Sequence, residues 1–171
     1  MSVDPVQAYK ERLAAALGGI DVAAIARIGD LIRGARFVYA AGNGGSAATA
    51  AHFACDMVKA ARVPAVDLSS ALPSLTAIGN DDGYDRVFVN QLRVLAQPED
   101  ILVVFTVSGN SPNVVEALRY ARCLTVALVG RDGGKAAALA DVCLRVDAYD
   151  YGVVEDVHLS VVHMLTEYLR A

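Results

Sequence analysis

The run Ile101-Leu102-Val103-Val104-Phe105 passes directly into Thr106-Val107-Ser108-Gly109-Asn110-Ser111-Pro112-Asn113 and then into the helical pattern Val114-Val115-Glu116-Ala117-Leu118. A strand that is apolar on both faces has to be covered on both, so it belongs inside a parallel sheet clad with helices. The turn that follows opens a helix, where backbone N–H groups lack partners and the helix dipole favours an anion. Three hydroxyls (Thr106, Ser108, Ser111) and a glycine that permits close backbone approach complete a setting suited to a phosphate monoester. A second junction of this kind joins Phe37-Val38-Tyr39-Ala40, through Ala41-Gly42-Asn43-Gly44-Gly45-Ser46, to another long helix. One hydroxyl-rich turn is ordinarily just a helix cap. Two of them, each at a strand-to-helix junction, predict a phosphorylated ligand held by Asn43, Gly44, Gly45 and Ser46 on one side and Thr106, Val107, Ser108 and Ser111 on the other.

The same alternation extends along the chain. Helical spacing of Val6, Tyr9, Leu13 and Leu17 predicts a helix over 4–17, and Gly18-Gly19 separates it from a second over 21–33. Strands are expected at 36–41, 64–68, 101–105, 124–129 and 141–146. Between them the pattern predicts helices over 46–60, 73–78 and 84–95, one from Pro112 and one opened by residues 131–135. Residues 79–83 are expected to turn, Val87, Gln91 and Val94 to share a face, and a last helix to run from about 153 to 170. The expected architecture is α/β: a flavodoxin-like three-layer sandwich with a five-stranded parallel sheet, helices on both faces and two leading helices. Ligands of such sheets gather beyond the carboxyl ends of the strands, where both hydroxyl turns would lie. With no repeat, linker or low-complexity tract, residues 1–171 are expected to form one domain, with 1–34 packing in an oligomer.

Charge excludes some partners. A net charge of −4 leaves no basic footprint for nucleic acid or an anionic membrane, and no apolar run is long enough to span a bilayer. Asp4, Lys10 and Glu11 near Met1 are unlike a secretory signal. Cys55, Cys123 and Cys143 are odd in number and form no CxxC pair, so they are expected to be buried free thiols of a cytoplasmic protein.

Five blocks occur in one order: Gly42-Asn43-Gly44-Gly45-Ser46, His52-Phe53-Ala54, Leu75-Thr76-Ala77-Ile78-Gly79-Asn80-Asp81, Ser108-Gly109-Asn110-Ser111, and Gly130-Arg131-Asp132-Gly133-Gly134-Lys135. In this order the chain closely resembles the phosphoheptose isomerases of the sugar isomerase (SIS) superfamily, over nearly its whole length. The resemblance implies a homotetramer with sites where subunits meet. It also implies conversion of sedoheptulose 7-phosphate to D-glycero-D-manno-heptose 7-phosphate, with one bound zinc ion per subunit.

His52 and Asp56 lie four apart on one helix and so share a face, and Glu155, His158 and His163 lie toward the end of the chain. Proton transfer between adjacent sugar carbons needs a base at carbon and an acid at oxygen, which a carboxylate and an imidazole can supply. By resemblance, Asp56 and His163 are the catalytic couple, His52, Asp56, Glu155 and His163 hold the metal, and Asp81 and Glu155 contact substrate. The chain departs from the family pattern with Asp56 in place of Glu, Glu155 in place of Gln, Gly152 where Asp is common and Ala60 where Arg is common. Eight residues separate Glu155 from His163, about 12 Å along an ideal helix. Either Glu155 precedes the regular helix, or different subunits supply the two groups. His158 is expected to be a satisfied core residue, Cys55 a packed one, Arg131 to Gly134 a turn and cap, and Tyr149 to Tyr151 a lining for the sugar. Two other functions fit the pattern: an isomerase of a different phosphosugar, and a non-catalytic adaptor for the replication initiator. Adaptors of that kind typically lack the last histidine, which this chain keeps as His163.

Overall fold

A computed structural model of the chain describes residues 4–171. Five strands, β1 (Val38–Ala41), β2 (Ala65–Asp67), β3 (Ile101–Thr106), β4 (Leu124–Val129) and β5 (Val142–Arg145), pair in parallel in the order β2-β1-β3-β4-β5. Every residue of β1 and β3 is buried, which is why their sequences are apolar throughout instead of alternating.

Eight α-helices clad this sheet: α1 (Pro5–Gly18), α2 (Val22–Gly34), α3 (Gly45–Asp56), α4 (Leu72–Asp81), α5 (Val89–Leu95), α6 (Pro112–Tyr120), α7 (Gly134–Leu139) and α8 (Tyr151–Arg170). Successive strand residues point to opposite faces, so the sheet feeds two cores. Val38, Ala40, Val103 and Phe105 pack with residues of α1, α2, α3 and α8. Tyr39, Ala41, Leu102 and Val104 pack with residues of α5, α6 and α7. Phe105 meets Phe53 of α3 edge-on at 5.6 Å, and each such fully buried ring contributes roughly 1.5–3 kcal/mol. Carboxylates cap three of the helices: Asp4 Oδ1 accepts from Val6 N at 3.0 Å, Asp21 Oδ1 from Ala24 N at 3.1 Å, and Asp150 Oδ1 from Val153 N at 3.2 Å.

The expected α/β sandwich is therefore the observed one, with local differences. The helix expected over 46–60 is regular only to Asp56 and continues as a π-helical turn over Met57–Ala61, ended by Arg62 in the left-handed conformation (φ 60°). Helix α4 runs on to Asp81, taking up most of the expected turn at 79–83. The segment 84–95 divides into a 3₁₀ turn at Tyr84–Arg86 and α5, and of the three residues expected to share a face Val87 and Gln91 are buried while Val94 is 80 % exposed. Left-handed Arg131 and Gly133 delay α7 to Gly134. The last helix starts at Tyr151, so Glu155 lies inside it and not ahead of it. All three thiols are free, but only Cys123 is buried, and burial pushes its thiol up to about 11. Cys55, expected to be packed, is exposed on α3. Among the described residues no helix is long and apolar enough to cross a membrane.

Candidate active site

Strand order reverses between β1 and β3, and the two turns that leave these strands flank the crevice this creates. Asn43 and Asn113 bridge it: each side-chain amide donates to the other's carbonyl oxygen, at 2.9 and 2.8 Å, and Tyr84 Oη donates to Asn43 Oδ1 at 3.1 Å. Asn113 is 1 % exposed, and the sequence reading had given it no role. Its only signal was an amide two residues after Ser111, in the first turn of α6.

A cavity of about 90 Å³ opens here, lined by Asn43 and Ser46 from the first turn, Thr106, Val107, Ser108 and Ser111 from the second, and Tyr151 and Glu155 from α8. The second turn is already ordered by its own hydroxyls: Thr106 Oγ1 accepts from Gly109 N at 3.3 Å and Ser108 Oγ from Asn110 N at 3.2 Å. Ser111 stands at the N-cap of α6 without capping it through its side chain, which leaves its hydroxyl free for a ligand. The lining contains no lysine or arginine, so an anion entering it would take its partners from hydroxyls and helix N-termini.

Beside this cavity lies a second one of about 290 Å³, lined by Gly45, Thr49 and His52 of α3 and by Glu155 and Asp156 of α8. Glu155 lines both. Its carboxylate sits directly over Gly45, where a Cβ would overlap it, so the glycine at the head of α3 is what lets the acid in. Burial, and then the nearby charge of Asp156, raise the Glu155 carboxyl above the usual carboxylate range.

Packing of α3 against α8 assembles a third feature. His52 Nε2 lies 3.1 Å from His163 Nε2 and 3.4 Å from Asp56 Oδ2, with the imidazoles edge-to-face at 5.0 Å between centroids. Ligand atoms of all three fall within 4.8 Å of one another. For bonds of about 2.0–2.1 Å a tetrahedral ion separates its ligands by roughly 3.3–3.4 Å. Two imidazole nitrogens and a carboxylate at these spacings fit a divalent cation. Glu155 is outside this cluster, in contrast to the four-residue set expected from the sequence: two turns of a continuous α8 separate it from His163.

Other expected residues fall elsewhere. Asp81 is exposed at the end of α4, accepting from Asn80 Nδ2 at 2.7 Å. Gly44 is exposed and caps α3 with φ 56°. Of the Tyr149 to Tyr151 segment only Tyr151 reaches the smaller cavity, with the Arg131 guanidinium 4.7 Å above its ring. His158 is in the core, as expected, but is not satisfied: neither ring nitrogen makes a hydrogen bond. Burial lowers its imidazole to about 4, and the nearby Val129 carbonyl opposes this only in part.

Comparison with known proteins fits this geometry. Residues 4–131 match the SIS domain family. A phosphoheptose isomerase of Trichlorobacter lovleyi is 43 % identical over 137 residues, covering 75 % of this chain and 70 % of the relative. The solved structure of a phosphoheptose isomerase from Neisseria gonorrhoeae superposes with a TM-score of 0.89 at 36 % identity, over 95 % of this chain and 96 % of the other. One from Francisella tularensis gives 0.90 at 28 %, over 99 % and 98 %. The Francisella alignment, at 99 % of this chain, takes in α8, which the family match does not reach. The chain belongs to the phosphoheptose isomerases of the SIS-domain family.

Proposed function

We propose that the protein interconverts sedoheptulose 7-phosphate and D-glycero-D-manno-heptose 7-phosphate, an aldose–ketose isomerisation through an enediol. The observation that carries this reading is the placement of an acid–base cluster (His52, Asp56, His163) beside a hydroxyl-lined anion cavity, with Glu155 in the cavity wall. Thr106, Ser108 and Ser111 hold the phosphate, with Asn43, Gly44, Gly45, Ser46 and the Val107 backbone around it. The sugar extends toward His52. Asp56 takes a proton from C1 of the ketose, and His163 protonates the carbonyl oxygen on C2. The resulting enediol gains a proton at C2 and loses one from the C1 hydroxyl, so no atom is added or lost. Asp56 turns Oδ2 toward His52, which leaves Oδ1 for the proton.

His52, Asp56 and His163 would hold a zinc ion, which when bound supplies a Lewis acid for the sugar oxygens. Glu155 joins the set only if a neighbouring subunit places it there, consistent with a homotetramer whose sites lie between subunits. Val6 and Val22 are 75 and 71 % exposed on the two leading helices, apolar surface that such an assembly would cover. Asp81, which lines neither cavity within one chain, would contact substrate by the same route.

Incubating the protein with sedoheptulose 7-phosphate and following aldose formation tests the reading. Turnover that disappears in Asp56→Asn supports it; substrate binding without turnover in the wild type refutes it. An isomerase of another phosphosugar is the second reading, favoured by Glu155 and Gly152, which depart from the family pattern at the cavity wall and its supporting helix. The adaptor reading has no such support, since His163 is present and is paired with His52.

A further inference from the structure

Gly152, near the start of α8, leaves an opening toward α1. A Cβ at Gly152 would lie 3.0 Å from Tyr9 Oη of α1. Tyr9 uses that opening to reach α8, where its hydroxyl donates to Asp156 Oδ2 at 2.7 Å. Gly152 and Asp156 are four apart on α8 and therefore share a face. Arg12, one turn after Tyr9, lies 5.7 Å from the Tyr9 ring centroid and pairs with Asp150 at 3.3 Å, fastening the same stretch of α1. Asp156 in turn lines the larger cavity with His52 and Glu155.

We propose that Asp156 is a further substrate-binding residue, held in place by Tyr9, and that it accepts hydrogen bonds from hydroxyls of the sugar chain in the cavity it shares with His52 and Glu155. Tyr9 occupies one carboxylate oxygen and fixes the side chain. Oδ1 remains to accept from the ligand, and a carboxylate is a strong acceptor for a polyol hydroxyl. Tyr9 is a positioning residue: it touches Asp156 and not the sugar. Gly152 favours both, because a side chain there would press on the Tyr9 ring and make it give by a few tenths of an ångström. For the identity of the ligand this proposal rests on the phosphosugar isomerase reading.

Calorimetric titration with sedoheptulose 7-phosphate and, separately, with inorganic phosphate tests it without requiring turnover. Asp156→Ala should weaken sugar-phosphate binding about tenfold to a hundredfold, the loss expected for one hydrogen bond to a charged group. Its affinity for inorganic phosphate, which enters the other cavity, should stay within about twofold. Asp156→Asn, which keeps a carbonyl acceptor of the same shape, should recover part of the loss. Tyr9→Phe should weaken sugar binding by a few fold, and adding it to Asp156→Ala should cost nothing further, because Tyr9 acts through Asp156. In steady-state assays the Asp156→Ala loss should fall on KM, not kcat. Unchanged sugar affinity in Asp156→Ala, or equal loss for sugar phosphate and inorganic phosphate, overturns the proposal. So does an additive effect of Tyr9→Phe. Wild-type binding without turnover overturns the isomerase reading alone.

Discussion

His158 offers a measurement of how dry the interior of α8 is. The residue is 0 % exposed, packs against Phe105 at 6.1 Å between centroids and leaves both ring nitrogens without partners. Burial depresses its imidazole from 6.5 to about 4. In the unfolded chain it takes a proton near its ordinary value, so between these limits the unfolded state binds more protons than the folded one. Stability is therefore fully present above the ordinary imidazole range and is lost as pH falls through it toward the depressed value. A fall from 6.5 to about 4 is worth about 3 kcal/mol, most of it spent between about pH 7.5 and 4.5. His158→Leu replaces the ring with an apolar side chain of similar size and removes the orphaned nitrogens, whose burial costs about 1–3 kcal/mol. Urea unfolding of both proteins at equal concentration, followed by circular dichroism, supplies the test. The variant should be at least as stable as wild type at about pH 7.5, and its advantage should grow by about 2–3 kcal/mol on going to about pH 4.5. Taking the difference between the two proteins cancels the contribution of every ionisable group they share. An advantage constant to within about 0.5 kcal/mol across that range would refute the argument, since His158 would then be as easily protonated folded as unfolded.

Ser108→Ala and Ser111→Ala should each weaken phosphosugar binding by about one to two decades, read by titration calorimetry, with melting temperature nearly unchanged; intact affinity in both would make these turns purely structural. His52→Ala should release the divalent ion, measured by elemental analysis after dialysis, because Asp56 and His163 alone do not close a stable set. Asp56→Glu, which restores the longer arm common in the family, should raise turnover above wild type if reach limits the reaction. Glu155→Gln should stabilise the metal-free fold at neutral pH, because burial raises the Glu155 carboxyl and its charged form disfavours folding. That gain should vanish as pH falls below the ordinary carboxylate range, where the acid is neutral in both states, and a pH-independent gain in thermal scans would contradict it. Light scattering should report about four times the chain mass, and a fully active monomer would rule out sites shared between subunits.

Much of this protein is written in local pattern. Doubly apolar runs such as 101–105 can be satisfied only inside a clad parallel sheet, and the glycine and hydroxyl turns mark the carboxyl ends of β1 and β3, so the fold and the place of the cavity between the two turns were legible from spacing alone. So was the shared face of His52 and Asp56, which follows from the helical repeat. The interruptions were not legible. The π turn after Asp56, the break before α5 and the exposure of Val94 on that helix are set by how the chain packs, not by local pattern. Distances between elements were also beyond the sequence. Only the packing of α3 on α8 brings His163 to 3.1 Å from His52 and leaves Glu155 outside the cluster, over Gly45. The Asn43–Asn113 bridge spans 70 positions and the Tyr9–Asp156 bond 147. Periodicity reports which face of its own element a side chain occupies, whereas which other element meets that face is decided by the global packing of the chain.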